Sequence, residues 1–434
     1  MAVQEKNFWL TTAEMRHIEP HPLPERVDVA ILGAGFTGLS AARTLAKRGA
    51  RVTVLETQTV GWGASSRNGG MVLTGLKLGA TDLLSRYGKE AAQRMFAASL
   101  QAISTVEKIV GEEKIECDFS RSGHLEVANK PGHFAGFQRS AETMARELGH
   151  VVRIVPRGEL SSEIGSKLYF GGLVDELSAG VNPARYVSGL GSAAIRAGAE
   201  IHEQTHVQGI EAAVNNGSPG WKVTTSRGAL WARDVLVATS GYTSSATPSL
   251  RRRIIPIGSY IIVTEALPQS VAAEVSPRNR MIYNSLYFTH YYRLTPDWRM
   301  LFGGRAAFFP ENENTIRESQ TILRRDMIQI FPQLRETKVE YVWGGTLDFA
   351  FDMMPHAGKM DGLYYSVGYA GHGVAMATLL GHKMAERMAS GSAVVDATPF
   401  EGIPFKSAPL GLYRRKPWFL PLAGLWFRFL DLIS

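Results

Sequence analysis

Val27-Asp28-Val29-Ala30-Ile31-Leu32-Gly33-Ala34-Gly35-Phe36-Thr37-Gly38 is the stretch that decides the architecture of this 434-residue chain. Its first six residues are rich in β-branched side chains and predict a buried strand. From Thr37 to Arg48 the chain has no proline and many helix formers, and Gly49 follows as a helix-ending glycine does. Arg51–Leu55 then resumes as a strand that ends at Glu56, which completes a β-α-β unit. Between strand and helix the glycines have G-x-G-x-x-G spacing. Gly33 permits the tight turn, Gly35 lets main chain approach a pyrophosphate, and Gly38 lets helix and strand pack closely. Phe36 and Thr37 begin the helix, whose free N–H groups attract an anion, and Glu56 is placed to accept hydrogen bonds from ribose hydroxyls. The unit predicts a dinucleotide site and leaves nicotinamide and flavin both open.

The rest of the chain sets the frame for that unit. Its length exceeds one compact core and suits two. Hydrophobic residues at 45% and charged residues at 20% exclude intrinsic disorder. One cysteine, Cys117, rules out an intrachain disulfide and any cysteine-based metal cluster. His17 and His21 have a metal-like spacing, but Pro20 between them breaks a helical ligand pair, so they read as surface residues and no metal site is expected. The net charge of +7 comes with basic runs only three residues long, Arg251–Arg253 and Arg414–Lys416, which argues against nucleic acid as a partner. Nothing in Met1–Pro24 has the form of an export signal, and no run is long and apolar enough to span a membrane. A second α/β region runs from Pro183 to Ala238, with a helix over Ala184–Ala197. Segments such as Ile257–Glu265, Ser285–Arg293 and Arg299–Gly304 read as antiparallel strands. The expected fold is α/β plus α+β: a Rossmann-type domain from residues 25–80, 151–238 and 340–395 interleaved with an antiparallel-sheet domain from 81–150 and 239–339, and a tail over 396–434.

Two further glycine-rich segments narrow the cofactor. Gly61-Trp62-Gly63-Ala64-Ser65-Ser66-Arg67-Asn68-Gly69-Gly70 combines small residues with Ser and Arg donors, as a main chain shaped around a flat ring and a pyrophosphate requires. Val367-Gly368-Tyr369-Ala370-Gly371-His372-Gly373-Val374 ends a strand and starts a helix, and that helix N-terminus suits the negative charge of a reduced flavin at its N1–C2=O edge.

On these motifs, with Ala238-Thr239-Ser240-Gly241 after a strand, the chain resembles the FAD-dependent oxidoreductases of the D-amino-acid oxidase, glycine oxidase and sarcosine oxidase family over about residues 25–390. The 61–70 loop, Arg252–Ile262 and Tyr291–Asp297 are similar to the gamma-glutamylputrescine oxidoreductase branch, which also holds oxidases of cyclic imino acids such as L-pipecolate. The resemblance implies FAD held by Gly33, Gly35, Phe36, Thr37, Gly38, Glu56, Gly63, Ala64, Ser65, Ser66, Arg67, Asn68, Gly69, Gly70, Val207, Gly241, Gly371, His372, Gly373 and Val374. It implies non-covalent attachment, because Cys117 lies far from the C-terminal glycine motif. It also implies oxidation of a carbon next to an amine nitrogen of a small amine or imino acid by hydride transfer to flavin N5, without a protein base at the carbon. Tyr292, Arg293 and Arg305 are candidates for the substrate carboxylate, since the planar guanidinium fork matches one. Tyr260, Arg293 and His372 are candidates for the reacting site. A nicotinamide-dependent dehydrogenase and a non-catalytic flavin-binding subunit are the competing readings.

Trp418–Ile433 has only Arg428 and Asp431 charged and is rich in aromatics. As a helix it reaches about 24 Å, short of a ~30 Å hydrocarbon core. With Arg414-Arg415-Lys416 before it, the segment 414–433 suits peripheral contact with the inner face of the cell membrane, and a quinone or other respiratory-chain carrier as electron acceptor. Packing on the chain's own surface is the other expectation.

Overall fold

A computed structural model describes residues 3–307, 313–390, 398–407, 413 and 419–433. In chain order its strands are β1 Arg26–Leu32, β2 Val52–Leu55, β3 Met71–Val72, β4 His124–Val127, β5 Arg153–Pro156, β6 Gly171–Asp175, β7 Ala179–Gly180, β8 Glu200–His202, β9 Val207–Asn215, β10 Ser218–Thr225, β11 Gly228–Val237, β12 Ile254–Ala266, β13 Met281–Asn284, β14 Tyr291–Leu294, β15 Arg299–Ala307, β16 Val339–Ala350, β17 His356–Met360 and β18 Leu363–Val367. They form two large sheets and the small pair β3-β7.

The first sheet runs β17-β18-β11-β1-β2-β8, with β10 and β9 continuing from β11. β1 pairs in parallel with β11 and β2, and from Val29 to Leu32, where it is covered on both faces, it is apolar and buried throughout. The helix Phe36–Ala46 that follows is wholly buried, packed between the helices Pro183–Arg196 and Gly373–Ala389. Its small residues allow this. A side chain on Gly38 would meet the Gly33 carbonyl oxygen at 2.0 Å, and one on Gly381 would meet the Thr37 carbonyl oxygen at 2.2 Å. Gly33 itself has φ +100°, which a side chain rarely tolerates. Ser40 Oγ donates to the Thr378 carbonyl at 2.7 Å and locks the two helices in register.

The second sheet runs β16-β12-β15-β14-β13-β4-β6-β5 and is antiparallel except for β13-β4. Its outer face carries a separate core of Tyr260, Ile262, Tyr292, Leu294 and Phe302 under the helix Glu313–Ile330 and Phe331. The mixed α/β architecture matches the expectation, but the segment boundaries shift. β5, β6 and β16 belong to the second sheet, although residues 151–238 and 340–395 read as first-domain chain. The helix Lys89–Glu113, expected in the second domain, buries its apolar stripe in the core of the first sheet. Short apolar strands look alike in either sheet, and pairing partners decide where they go. Ser285–Arg293, expected as one strand, contains the turn between β13 and β14.

The tail forms the helix Leu420–Ile433 and packs on its own chain. The Asp431 carboxylate accepts from the Tyr287 and Phe288 N–H groups at 2.8 and 3.1 Å, and Phe427 stacks on Tyr287. Leu422, Leu425, Trp426 and Phe429 are exposed on the other side. Among the described residues no helix is long and apolar enough to cross a membrane. Arg414-Arg415-Lys416 lie outside the described residues.

Candidate functional site

A cleft of about 400 Å³ opens at the C-terminal ends of β1, β2 and β11, the usual ligand position in a parallel α/β sheet. Gly33, Gly35, Phe36, Thr37, Glu56, Gly63, Ala64, Ser65, Asn68, Val207, Gly371, Gly373 and Val374, all candidates from the sequence, line it. The three glycine-rich segments thus converge. Thr37 Oγ1 and the Tyr369 hydroxyl meet at 2.6 Å and join the first segment to the last.

Each wall contributes a different group. The helices beginning at Phe36 and Gly373 have Gly35 and His372 as N-caps, and neither cap residue's side chain takes up a first-turn N–H group, so both helix N-termini suit an anion. Glu56 closes the other end. Its two oxygens accept from the N–H groups of Ala34 and Gln58, both at 2.8 Å, and burial pushes its pKa up against those bonds. Each oxygen keeps a second lone pair for a ribose hydroxyl. Ser65 Oγ accepts from the Phe36 N–H at 3.0 Å, which seats the second glycine loop on the first helix.

The remaining residues of that loop stand behind the cleft. Ser66 is fully buried, and Asn7 donates to its carbonyl. Arg67, expected as a cofactor donor, instead donates to the carbonyls of Trp62 and Gly344, while Trp343 Nε1 donates to the Arg67 carbonyl. It fastens the loop to β16. Gly69 faces the second sheet, where a side chain would press on the Tyr291 ring, and Gly70 faces the chain just after β7, where a side chain would strike the Val181 carbonyl. Gly38 and Gly241 act by packing, Gly241 against Leu347. Sequence reasoning missed Asp348, a buried carboxylate on β16 that accepts from the Gly368 N–H at 2.6 Å while its carbonyl accepts from the Ala370 N–H. An acidic residue inside an apolar strand was its only signal.

Strand alternation determines which side chains of the second sheet approach the cofactor loop. Tyr260 and Tyr292, expected over the substrate, point the opposite way and are fully buried in the outer core. There the Tyr292 hydroxyl meets that of Tyr169 at 2.7 Å, and its ring stacks on Phe302. Tyr291 and Ser259, one position earlier, occupy the site face, their hydroxyls 3.2 Å apart. Burial pushes the Tyr291 phenol up to about 12. Arg293 shares this face but is almost fully buried and donates to the carbonyls of Gly70, Val181 and Leu294. Its fork therefore positions the Gly70 turn. Burial lowers its pKa to about 10. Arg305 is on β15, and its side chain lies outside the described residues.

His372 sits between the lining residues Gly371 and Gly373. Burial lowers its pKa to about 4, with the Lys77 ammonium adding to the effect, so the ring is neutral near pH 7. Away from the cleft, His21, Glu200 and His202 bring three possible ligand atoms within 4.8 Å of one another, where the sequence read His21 as a plain surface residue.

Two uncapped helix N-termini, a carboxylate at the far end and a floor without side chains fit a dinucleotide with a pyrophosphate between two ring systems. The fold and cleft therefore define a dinucleotide-dependent oxidoreductase. The family model described as FAD dependent oxidoreductase (DAO) matches residues 28–387, and the chain belongs to that family, whose members use FAD to oxidise amine or amino-acid C–N bonds. It is 32% identical over 368 residues to the probable oxidoreductase OrdL of Haemophilus influenzae, covering 83% of each chain. It is 29% identical to the gamma-glutamylputrescine oxidoreductase of Escherichia coli over 90% of each chain. Among solved structures, glycine oxidase from Geobacillus kaustophilus shares the fold with a TM-score of 0.73 at 20% identity, over 87% of this chain and 98% of that one.

Proposed function

We propose that this chain oxidises the C–N bond of a small amino or imino acid, best fitted by a cyclic secondary amine of the L-pipecolate kind. The observation that supports this most is the contact of the Tyr291 ring with Gly69, which sets an aromatic wall of the second sheet directly against the cofactor loop. Bound FAD would supply a hydride acceptor for the substrate carbon, and the imine product would meet water only after it leaves the site. The chain's own task is to hold the amine in line and keep water from the reacting carbon. Gly35, Thr37, Ser65 and the Gly371–Val374 turn would hold the cofactor, Glu56 its ribose, and the neutral His372 would contact its edge. Anaerobic bleaching of the flavin by L-pipecolate, by D-amino acids and by gamma-glutamylputrescine tests the reading. Bleaching by L-pipecolate at the lowest concentration is expected; bleaching by none of them favours a silent flavin-binding subunit.

Gamma-glutamylputrescine is the second reading, favoured by the match to the Escherichia coli enzyme over 90% of both chains. We further propose that electrons pass to a respiratory carrier, with oxygen as the alternative, and that the C-terminal helix rests on the inner membrane surface. The exposed stripe Leu422, Leu425, Trp426 and Phe429 supports this. Co-sedimentation with anionic vesicles is expected, and full recovery in the supernatant overturns it.

A further inference from the structure

At the edge of the first sheet two imidazoles and a carboxylate converge, none of which lines the cleft. Glu200 and His202 are two positions apart on β8, the edge strand beside β2, so strand alternation puts them on one face. His21 approaches that face from the arm before β1, where Pro20 and Pro22 restrict the main chain on either side of it. The two imidazole centroids are 4.1 Å apart, and both Nε2 atoms face one oxygen. Glu200 Oε2 is 3.4 Å from His202 Nε2 and 3.9 Å from His21 Nε2.

Hydrogen bonding accounts for these groups poorly. His202 is buried, its Nδ1 has no hydrogen-bond partner among the described residues, and its Nε2 makes only the long contact to Glu200. A buried imidazole so short of partners is costly unless a water or an ion completes it. His21 Nδ1 lies 3.0 Å from the Glu19 carbonyl oxygen, which can only accept, so in the neutral ring Nδ1 carries the proton. The Nε2 lone pair is then turned to a carboxylate, an arrangement that a cation between them makes favourable. Arg227 donates to the His21 carbonyl at 2.9 Å and fixes the arm here without using either ring nitrogen.

We propose that His21, Glu200 and His202 bind one zinc-type divalent cation, which clips the N-terminal arm to β8. Zinc bonds of about 2.0–2.1 Å in a tetrahedron space the ligand atoms roughly 3.4 Å apart, which is the separation of His202 Nε2 and Glu200 Oε2. All three ligand atoms lie within 4.8 Å of one another. The His21 and Glu200 side chains are roughly half exposed, so they can close the remaining gap and the ion can enter from solvent. Two imidazoles and one carboxylate suit zinc better than magnesium or calcium, which take oxygen ligands. Three protein ligands leave the fourth position to water, so the ion is exchangeable. The arm it fastens supports the second glycine loop: Asn7 donates to the Ser66 carbonyl at 2.8 Å and Trp9 Nε1 to the Asn68 carbonyl at 2.9 Å. On the strand side, the His202 carbonyl accepts from the Glu56 N–H at 2.9 Å.

The test uses the full-length, FAD-loaded protein, treated with EDTA and dialysed, with Zn2+ as the probe and Mg2+ as the control ion. Calorimetry is expected to show one Zn2+ site per chain and none of similar affinity for Mg2+. Zn2+ affinity falls at least tenfold in His21→Gln, Glu200→Gln and His202→Gln. It is unchanged in His17→Gln, which alters an exposed histidine of the same arm. Because His202 is buried and its replacement can unfold the chain, His21→Gln and Glu200→Gln decide the case. Zn2+ at a hundredfold excess over Kd should raise the thermal midpoint of the unaltered protein by about 3 °C, and that of Glu200→Gln by much less. No stoichiometric Zn2+ binding, binding unchanged in both His21→Gln and Glu200→Gln, or an equal loss in His17→Gln overturns the proposal.

Discussion

The cleft wall on the first sheet is built largely of main chain, whereas the face that the second sheet turns to the cofactor loop is built of side chains. On the first sheet the working groups are N–H groups at two helix N-termini and glycines that clear a path, with Glu56 as the chief ionisable contributor. On the second sheet, Tyr283 and Tyr291 project from β13 and β14, strands whose main chain is occupied with its own ladder, and the Tyr291 ring lies against Gly69. A main-chain site is intolerant of added atoms, whereas a side-chain site can be altered without disturbing the fold.

Gly38→Leu breaks the first half most severely. Its added atoms would overlap the Gly33 carbonyl, and the purified protein is expected to contain almost no flavin, as measured by absorbance at saturating FAD. In the second half the largest loss is in stability. Arg280 Nε donates to Glu163 at 2.6 Å with both side chains buried, while the more exposed Arg153 pairs with the other oxygen at 2.5 Å, so Arg280→Met leaves Glu163 only its outer cation and costs about 1.5–3 kcal/mol in urea unfolding.

His124 sharpens the contrast through pH. Burial lowers its pKa from 6.5 to about 4. The folded state therefore binds fewer protons than the unfolded state between those values, and stability falls as pH drops from 6.5 to 4. The slope reaches about 1.4 kcal/mol per pH unit for this one group. His124→Gln should flatten that part of the stability profile, and an unchanged slope would falsify the assignment. The smallest effect separates two adjacent tyrosines. Tyr292→Phe strands the Tyr169 hydroxyl and destabilises the protein by about 1–2 kcal/mol with KM unchanged. Tyr291→Phe is expected to do the reverse, raising KM with little change in the unfolding midpoint.

The same contrast explains what the sequence reveals. Gly33, Gly35, Gly38 and the Gly371–Gly373 turn are legible because a main-chain site admits few residue types, and their spacing encodes the geometry. Strand faces are harder to read. Tyr292 and Arg293 were expected side by side in one pocket, yet neighbours on a strand point to opposite sides, and only Arg293 faces the site. Its fork then turns to Gly70, a contact set by a loop more than two hundred positions away.

The bond between Thr37 and Tyr369 has a consequence for how the protein is made. It joins residues 332 positions apart, and the Gly371–Val374 wall leaves the ribosome last among the segments that enclose the cleft. At translation rates of about 5–20 residues per second, the fingerprint helix waits roughly 20–60 s for its closing partner. The helix Phe36–Ala46, buried on every side in the finished protein, lacks one of its covering helices throughout that interval. The cleft therefore closes only after residue 374 has been made, and a chain that stops short of residue 369 has a fingerprint but no closed site.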